Sequence, residues 1–274
     1  MKSFLYFNLL LIVVGLSNHS TNGQLCLTSV DSARFQYEIN NPQNFKTNSI
    51  TQNKRIFHIR IHLFADATGS YGISDSLISN CIFNLNNDFA PSGISFVISK
   101  IDSIEYCQYS IFSFPAELGE LKILYYKAGI INLFLVDEIN NEAGNNLLEG
   151  YTEFPGNDDL IIIPKGFLVE SGLSHQMGHF FGLYHTFEDM FGHELPGAGN
   201  CTIAGDLLCD TPADTLVAIT PDCNSTATVT PDGEGFTPPV SNNMSNWPEC
   251  RCRFTIQQYN KMAHESKTTR AYLW

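Results

Sequence analysis

The sequence predicts an α/β (α+β) fold: one large domain on a twisted mixed sheet, a helix carrying a histidine cluster, and a disulfide-stapled C-terminal part. Three observations predict it. Short runs with strand character, at 55–63, 93–98, 130–136 and 160–163, are interleaved with a helical apolar stripe. His175 and His179 stand four residues apart, the spacing that puts two side chains on one face of a helix. Five of the eight cysteines fall late, at Cys201, Cys209, Cys223, Cys250 and Cys252, bracketing loops too polar and too rich in Gly and Pro to hold themselves.

The elements follow in order. Residues 1–20 read as a secretory signal peptide: Lys2 supplies the positive start, and 4–16 is apolar apart from Asn8 and Gly15. That run is shorter than the ~20 apolar residues of a membrane span. Gly15-Leu16-Ser17 is a small-x-small cleavage candidate, and no second hydrophobic span follows, so the chain is expected to be secreted and extracellular. Residues 21–53, polar and rich in Asn, Gln, Ser and Thr, form a short pro-segment or N-terminal arm, and 54–274 form the main domain. The alternation at 55–63 makes a strand. His58 and His62 lie on its polar side with Arg60, a solvated face with metal binding as the alternative. Ser74 caps a helix running to about Asn87, with Leu77, Ile78, Cys81, Ile82, Leu85 and Phe89 as its apolar stripe. Gly93 to Ile98 is the next strand. The runs at 130–136 and 160–163 are nearly continuously apolar, as buried strands are. Between them, 150–155 alternates and closes on Pro155, an edge strand. From 182 to 241 the chain is loop-like, and a final helix runs from Thr255 to about Lys267.

Composition bounds the partners. A chain of 274 residues with 43% apolar and 16% charged residues has ample material for a core. A formal charge of −13 argues against nucleic acid or an anionic membrane. A monomer is expected. Among the cysteines, Cys81 and Cys107 flank a helix-to-strand unit and form a candidate pair, while Cys26 and one late cysteine lack an obvious partner.

The chemistry sits in eleven residues. His175-Gln176-Met177-Gly178-His179-Phe180-Phe181-Gly182-Leu183-Tyr184-His185 reads H-Q-x-x-H-x-x-G-x-x-H. Gly182 can take the left-handed conformation that ends a helix, which lets His185 return as a third nitrogen ligand. Three histidines leave a fourth position for water, the open arrangement of a catalytic zinc. A histidine-rich helix end with satisfied core histidines is the alternative, disfavoured by the glycine, the third histidine and the apolar flanks Leu173, Met177, Phe180 and Phe181.

The extended motif resembles the metzincin metallopeptidase signature, H-E-x-x-H-x-x-G-x-x-H followed by a Met-turn. Residues 173–188 are similar to the ulilysin-like pappalysin, or cytophagalysin, family. Gly205-Asp206, Cys209-Asp210-Thr211-Pro212-Ala213-Asp214, Asn243-Met244-Ser245 and Arg253-Phe254-Thr255 with Gln258 resemble further family blocks in order. The resemblance covers about residues 55 to 265. It implies a metzincin-like domain with Zn2+ on His175, His179 and His185 above Met244, an upper cleft rim at 150–155, and a peptide or protein as substrate. It implies Ca2+ near Asp206, Asp210 and Thr211, with simple turn formation as the alternative. It also exposes two departures: Gln176 stands at the general-base position, and Asn246 where the family carries a tyrosine. Glutamine cannot accept a proton, so peptide hydrolysis is expected to be impaired; a zinc-bound pseudoprotease that binds peptides is the alternative, and a purely structural zinc a third reading. Glu188, Asp189, His193 and Glu194 are candidate replacement bases. Cys26 is a candidate thiol switch, with a bridge to the late cysteines as its alternative.

Overall fold

Alternation and apolar runs become one mixed sheet, wrapped on both faces. The computed structural model describes residues 25–29, 32–40, 54–141, 148–168, 171–197, 199–214, 223, 228–229 and 235–274; the expected signal peptide lies outside them. In chain order the elements are β1 (Leu25–Ser29), α1 (Ser32–Asn40), β2 (Arg55–Phe64), α2 (Asp75–Phe89), β3 (Ile94–Ile104), β4 (Ile111–Ser113), α3 (Leu118–Tyr125), β5 (Ile131–Val136) and β6 (Glu138–Asn140). There follow β7 (Leu148–Glu153), β8 (Leu160–Pro164), α4 (Lys165–Leu168), α5 (Gly172–Phe180), β9 (Thr228–Val229), β10 (Gly235–Phe236) and α6 (Ile256–Glu265).

The main sheet has six strands in the order β1-β7-β8-β5-β2-β3. All neighbours are parallel except β7 and β8, which pair antiparallel through Tyr151 with Ile162 and Thr152 with Ile161. One face packs Phe57, Ile59, Ile61, Leu63, Leu133, Leu135, Ile161 and Ile163 against α2 and α5. The other packs Phe64, Phe134, Leu160 and Ile162 against Tyr109, Phe112 and Leu121. Because both faces are covered, β5 and β8 are apolar at nearly every position rather than at every second one. Ser74 caps α2 through Leu77 N, and Ile78, Cys81, Ile82, Leu85 and Phe89 are its buried face.

Four expectations are corrected. The strand expected at 93–98 runs on to Ile104, because pairing with β2 continues after a register shift beside Ile59. The expected edge strand is not an edge: β1 pairs along its outer side, in parallel. The N-terminal arm, without apolar periodicity, nevertheless forms a strand and a helix. Its α1 is held ionically, by Arg34 to Glu265 and by Lys261 to Glu38, with Arg34 also bonded to Glu38 within the helix. Finally, His62 is buried at 1% exposure, donates from Nε2 to Asn132 Oδ1 (3.1 Å), and stacks on Phe134, whereas His58 is exposed as expected.

The cysteines divide differently from the sequence expectation. Cys201 bonds Cys209 and Cys223 bonds Cys250, stapling the late loops. Cys81 and Cys107 do not pair, because Cys81 faces the core from α2 while Cys107 is exposed; Cys252 is free and exposed. The final helix opens with a capping box between Thr255 and Gln258. Beyond it Arg270, with no exposed surface, fastens the C-terminal turn to Asp159, to Glu153 O and across the ring of Phe180.

Candidate metal centre

The centre is built on α5, whose nine residues are all buried. Two glycines let it lie this deep. A Cβ on Gly172 would come within 2.3 Å of Phe167 O, and one on Gly178 within 2.6 Å of Met244 Sδ. The helix stops at Phe180, and Gly182 turns the chain at φ +83, the left-handed conformation glycine adopts without strain. Leu183 N then bonds Gly178 O at 2.9 Å, and His185 returns toward the helix.

Three imidazoles converge. Nε2 of His179 lies 3.1 Å from Nε2 of His175 and 3.1 Å from Nε2 of His185. Tetrahedral ligands at a Zn–N distance of ~2.0–2.1 Å stand about 3.3 Å apart, so the spacing fits such an ion. The outer nitrogens fix the tautomers: Nδ1 of His175 donates to Asn243 O (2.7 Å) and Nδ1 of His179 to Leu183 O (2.8 Å). A carbonyl can only accept, so both Nε2 lone pairs point inward, as metal ligands require. Burial above all, with the nearby Arg251 charge, holds the imidazoles neutral: His179 falls to about 3, and His175 and His185 lie well below the usual histidine range. Among the described residues, these three form the one group of histidine, cysteine or acidic side chains close enough to share a metal ion.

The Met-turn supports the cluster from below. Met244 is fully buried against Gly178, its carbonyl accepts Thr186 N at 3.1 Å, and Asn243 carries the carbonyl that holds His175. Asn246, half-buried, comes two residues later. Gln176 is fully buried and turned to the sheet: Thr152 Oγ1 donates to its Oε1 at 2.5 Å, and its Nε2 lies where a Cβ on Gly150 would fall. Glycine at 150 is what lets β7 ride over that side chain. Cys26 of β1 stands in register with Gly150; its side chain lies outside the described residues.

The acidic positions separate into two places. Asp206 and Thr211 come together, with Thr211 Oγ1 donating to Asp206 Oδ1 at 2.9 Å. Asp210 is exposed and instead accepts from Thr255 Oγ1 and Gln257 N at the start of α6. The sequence reading missed Glu194 as a neighbour of Asp206. Glu194, 2% exposed, has both carboxylate oxygens buried without a hydrogen-bond partner, as has Asp206 Oδ2. Burial, then repulsion from Asp206 and Asp214, pushes Glu194 up to about 8; burial pushes Asp206 to about 7. Asp214 accepts from Thr186 Oγ1, beside His185. Thr152, Glu149 and Arg251 were missed too, since nothing in their local sequence marks them; the fold alone brings them to the site.

The comparisons agree with this geometry. The family profile described as Pregnancy-associated plasma protein-A (Peptidase_M43) matches residues 165–266, which contain all three histidines and Met244. An extracellular metalloprotease of Podospora anserina is 29% identical over 208 residues, covering 68% of this chain and 65% of that protein. One of Pyricularia oryzae is 31% identical over 172 residues, covering 56% of this chain and 55% of that protein. The chain thus spans between half and two thirds of the lengths of these relatives. Mature mirolysin of Tannerella forsythia, solved with a cleaved peptide, superposes with a TM-score of 0.59 at 17% identity, covering 81% of this chain and 98% of that one. That likeness establishes a shared mixed α/β fold. The family profile rests on the histidine helix and the Met-turn, so residues 165–266 carry a Peptidase_M43 (pappalysin) domain.

Proposed function

We propose that the chain is a secreted zinc metalloendopeptidase-family protein whose hydrolytic step is impaired at Gln176. The observation that carries the reading is the pairing of an intact three-nitrogen site with an amide at the base position, held against β7 by Thr152. His175, His179 and His185 would hold the ion. Zinc bound there would supply Lewis acidity, acidifying water to a pKa of about 7 and polarising the scissile carbonyl. The protein's own contribution is then positioning. Gln176 can hydrogen-bond the attacking water but has no basic oxygen for its proton, a loss worth roughly 10²–10⁴-fold in rate. Asn246 offers an amide donor where the family phenol would assist the developing oxyanion.

The substrate in this reading is an extended peptide laid along β7 through main-chain hydrogen bonds. That same edge carries β1, so in this reading the N-terminal segment holds the protein latent, and the Cys26 thiolate would close the open metal position; the backbone pairing of β1 with β7 supports the reading. A calcium ion is assigned in this reading to Asp206, with Thr211 supporting it and Glu194 drawn in on binding: a divalent cation would satisfy the oxygens of Glu194 and Asp206 that otherwise stand buried without a hydrogen-bond partner. The second reading is a pseudoprotease that captures peptides without cleaving them, favoured by the Thr152–Gln176 bond, which gives the amide a structural use.

Casein and peptide cleavage by the zinc-loaded protein and its Gln176→Glu variant test the proposal. Weak cleavage that rises roughly 10²–10⁴-fold in the variant supports an impaired peptidase. Silence from the natural protein, with activity in the variant, supports the pseudoprotease. Silence from both, with the zinc still bound, removes the peptidase reading.

A further inference from the structure

The zinc-peptidase reading has no task for a cation at Arg251, yet one is built there. Nε of Arg251 donates to Ser245 O at 2.9 Å, and Nη1 donates to Glu149 Oε2 at 2.8 Å. Ser245 directly follows Met244, and Asn243 holds His175; Glu149 directly precedes Gly150, the residue that rests on Gln176. The guanidinium is therefore bracketed by the two elements that fix the first histidine and the base position.

The bonding of Arg251 is incomplete in a telling way. A guanidinium offers five N–H donors, and two of them are used. Among the described residues Nη2 meets no acceptor, and it is not one of the buried atoms stranded without a partner, so it keeps contact with solvent. Arg270, which has a structural task, behaves differently: it donates to five acceptors, four of them carbonyls. Arg251, its side chain 2% exposed, thus keeps a narrow opening at one edge of a planar, bidentate-capable cation between the Met-turn and β7, anchored by Glu149 so that it does not collapse onto another group.

We propose that Arg251 is a specificity residue: it receives a carboxylate of the bound peptide next to the reacting bond, so the site selects acidic segments. The inference rests on the peptide-binding reading above and deepens it. The carboxylate can come from an aspartate or glutamate side chain or from a free C-terminus, and the two share the same recognition chemistry.

The test uses zinc-loaded full-length protein and short peptidyl hydroxamates titrated by calorimetry. The hydroxamate group reports the open metal site, and the neighbouring side chain reports Arg251. Four probes carry an aspartate, asparagine or lysine side chain, or a neutral side chain with a free C-terminal carboxylate. The aspartate probe is expected to bind about tenfold more tightly than the asparagine probe, the gain of one charge-assisted bond over a neutral one, and the lysine probe most weakly. A gain confined to the free-acid probe assigns the carboxylate to a peptide C-terminus. Arg251→Met combined with Glu149→Leu removes the pair without orphaning a buried charge; it should keep asparagine-probe affinity and lose the acidic preference. The swap Glu149→Arg with Arg251→Glu keeps an ion pair and should also lose it, which a merely structural pair would not. Tight, equal binding of the aspartate, asparagine and free-acid probes overturns the role of Arg251 and leaves the peptidase reading standing. If no hydroxamate binds, both fall.

Discussion

Arg270→Met isolates what the buried C-terminal cation contributes to the metal centre. The methionine keeps an apolar stem over Phe180, where the guanidinium now stacks at 3.9 Å from the ring centroid, so the change removes charge and donors more than volume. It leaves Asp159, 3% exposed, without its ion-pair partner (2.5 Å), and takes a donor from Glu153 O at the end of β7 and from Phe180 O at the end of α5. Breaking a buried pair on one side costs about 3–5 kcal/mol. Tyr272 still donates to Asp159 Oδ1 at 2.6 Å, so the lower end, about 3 kcal/mol, is expected. At roughly 2–4 °C per kcal/mol for a domain of this size, Tm should fall by about 6–12 °C. Urea unfolding should show a lower midpoint with an unchanged slope. Arg270→Met with Asp159→Leu should recover much of the loss, because no charge is then stranded. A Tm within about 2 °C of the natural protein, or a double variant no better than the single one, would refute this reasoning.

Gly178→Ala drives a Cβ to within 2.6 Å of Met244 Sδ and displaces the turn that carries the His175 acceptor; zinc affinity by chelator competition should drop about tenfold, and an unchanged affinity would show that the Met-turn does not position that histidine. His62, lowered to about 4 chiefly by burial, stays neutral when folded while the unfolded chain takes up a proton near pH 6.5. Stability should therefore be lost as pH falls from 6.5 to about 4, by about 3 kcal/mol at most, and His62→Asn at equal zinc loading should flatten that slope. Glu194 is raised to about 8, so metal-free protein should lose stability as pH climbs from the ordinary carboxylate range through 8. Calcium at about 100 times its Kd should restore about 2.7 kcal/mol, and Glu194→Gln should abolish the calcium response and reduce the pH dependence to the part that Asp206, raised to about 7, still contributes; a calcium response that survives in the variant points to other ligands. Thr152→Val removes the donor to Gln176 Oε1 and should destabilise the fold by about 1–3 kcal/mol, read by thermal unfolding.

What was legible in the sequence was whatever repeats with a period or carries a rigid spacing. The apolar stripe of α2, the runs of β5 and β8 and the i, i+4 histidines each state their geometry locally. The arm was illegible because α1 is anchored by Arg34 and Glu38 to side chains more than two hundred positions away, and its nine residues are too few to display a period. The edge assignment of β7 failed for the same reason: alternation reports one solvated face, not which neighbour completes the ladder. Cys81 read as a disulfide candidate because spacing cannot reveal that its side chain faces the core. Asp210 resembled a cation ligand by its neighbours in sequence, yet its carboxylate caps α6, whereas Glu194 arrives at Asp206 from a separate loop.

Holding a metal and using it are separable in this architecture, and the separation explains how the departures are tolerated. The three histidines depend on main-chain carbonyls of Asn243 and Leu183, on Gly178 over Met244, and on Gly182; none of these contacts runs through Gln176 or Asn246. Gln176 has been absorbed into the scaffold instead, as the acceptor for Thr152 beneath Gly150. A carboxylate at that position would accept the same hydroxyl while adding a buried charge, tolerable beside a bound dication and costly without one. Replacing it by the amide therefore removes the charge that makes a metal-free site unstable, at the expense of the proton acceptor. On the proposed reading, the amide suits a centre that is empty or closed by the arm better than one that turns over peptide rapidly. Gln176→Glu should accordingly gain activity when loaded with zinc and lose thermal stability when stripped of it, opposite signs that a single measured variant can display.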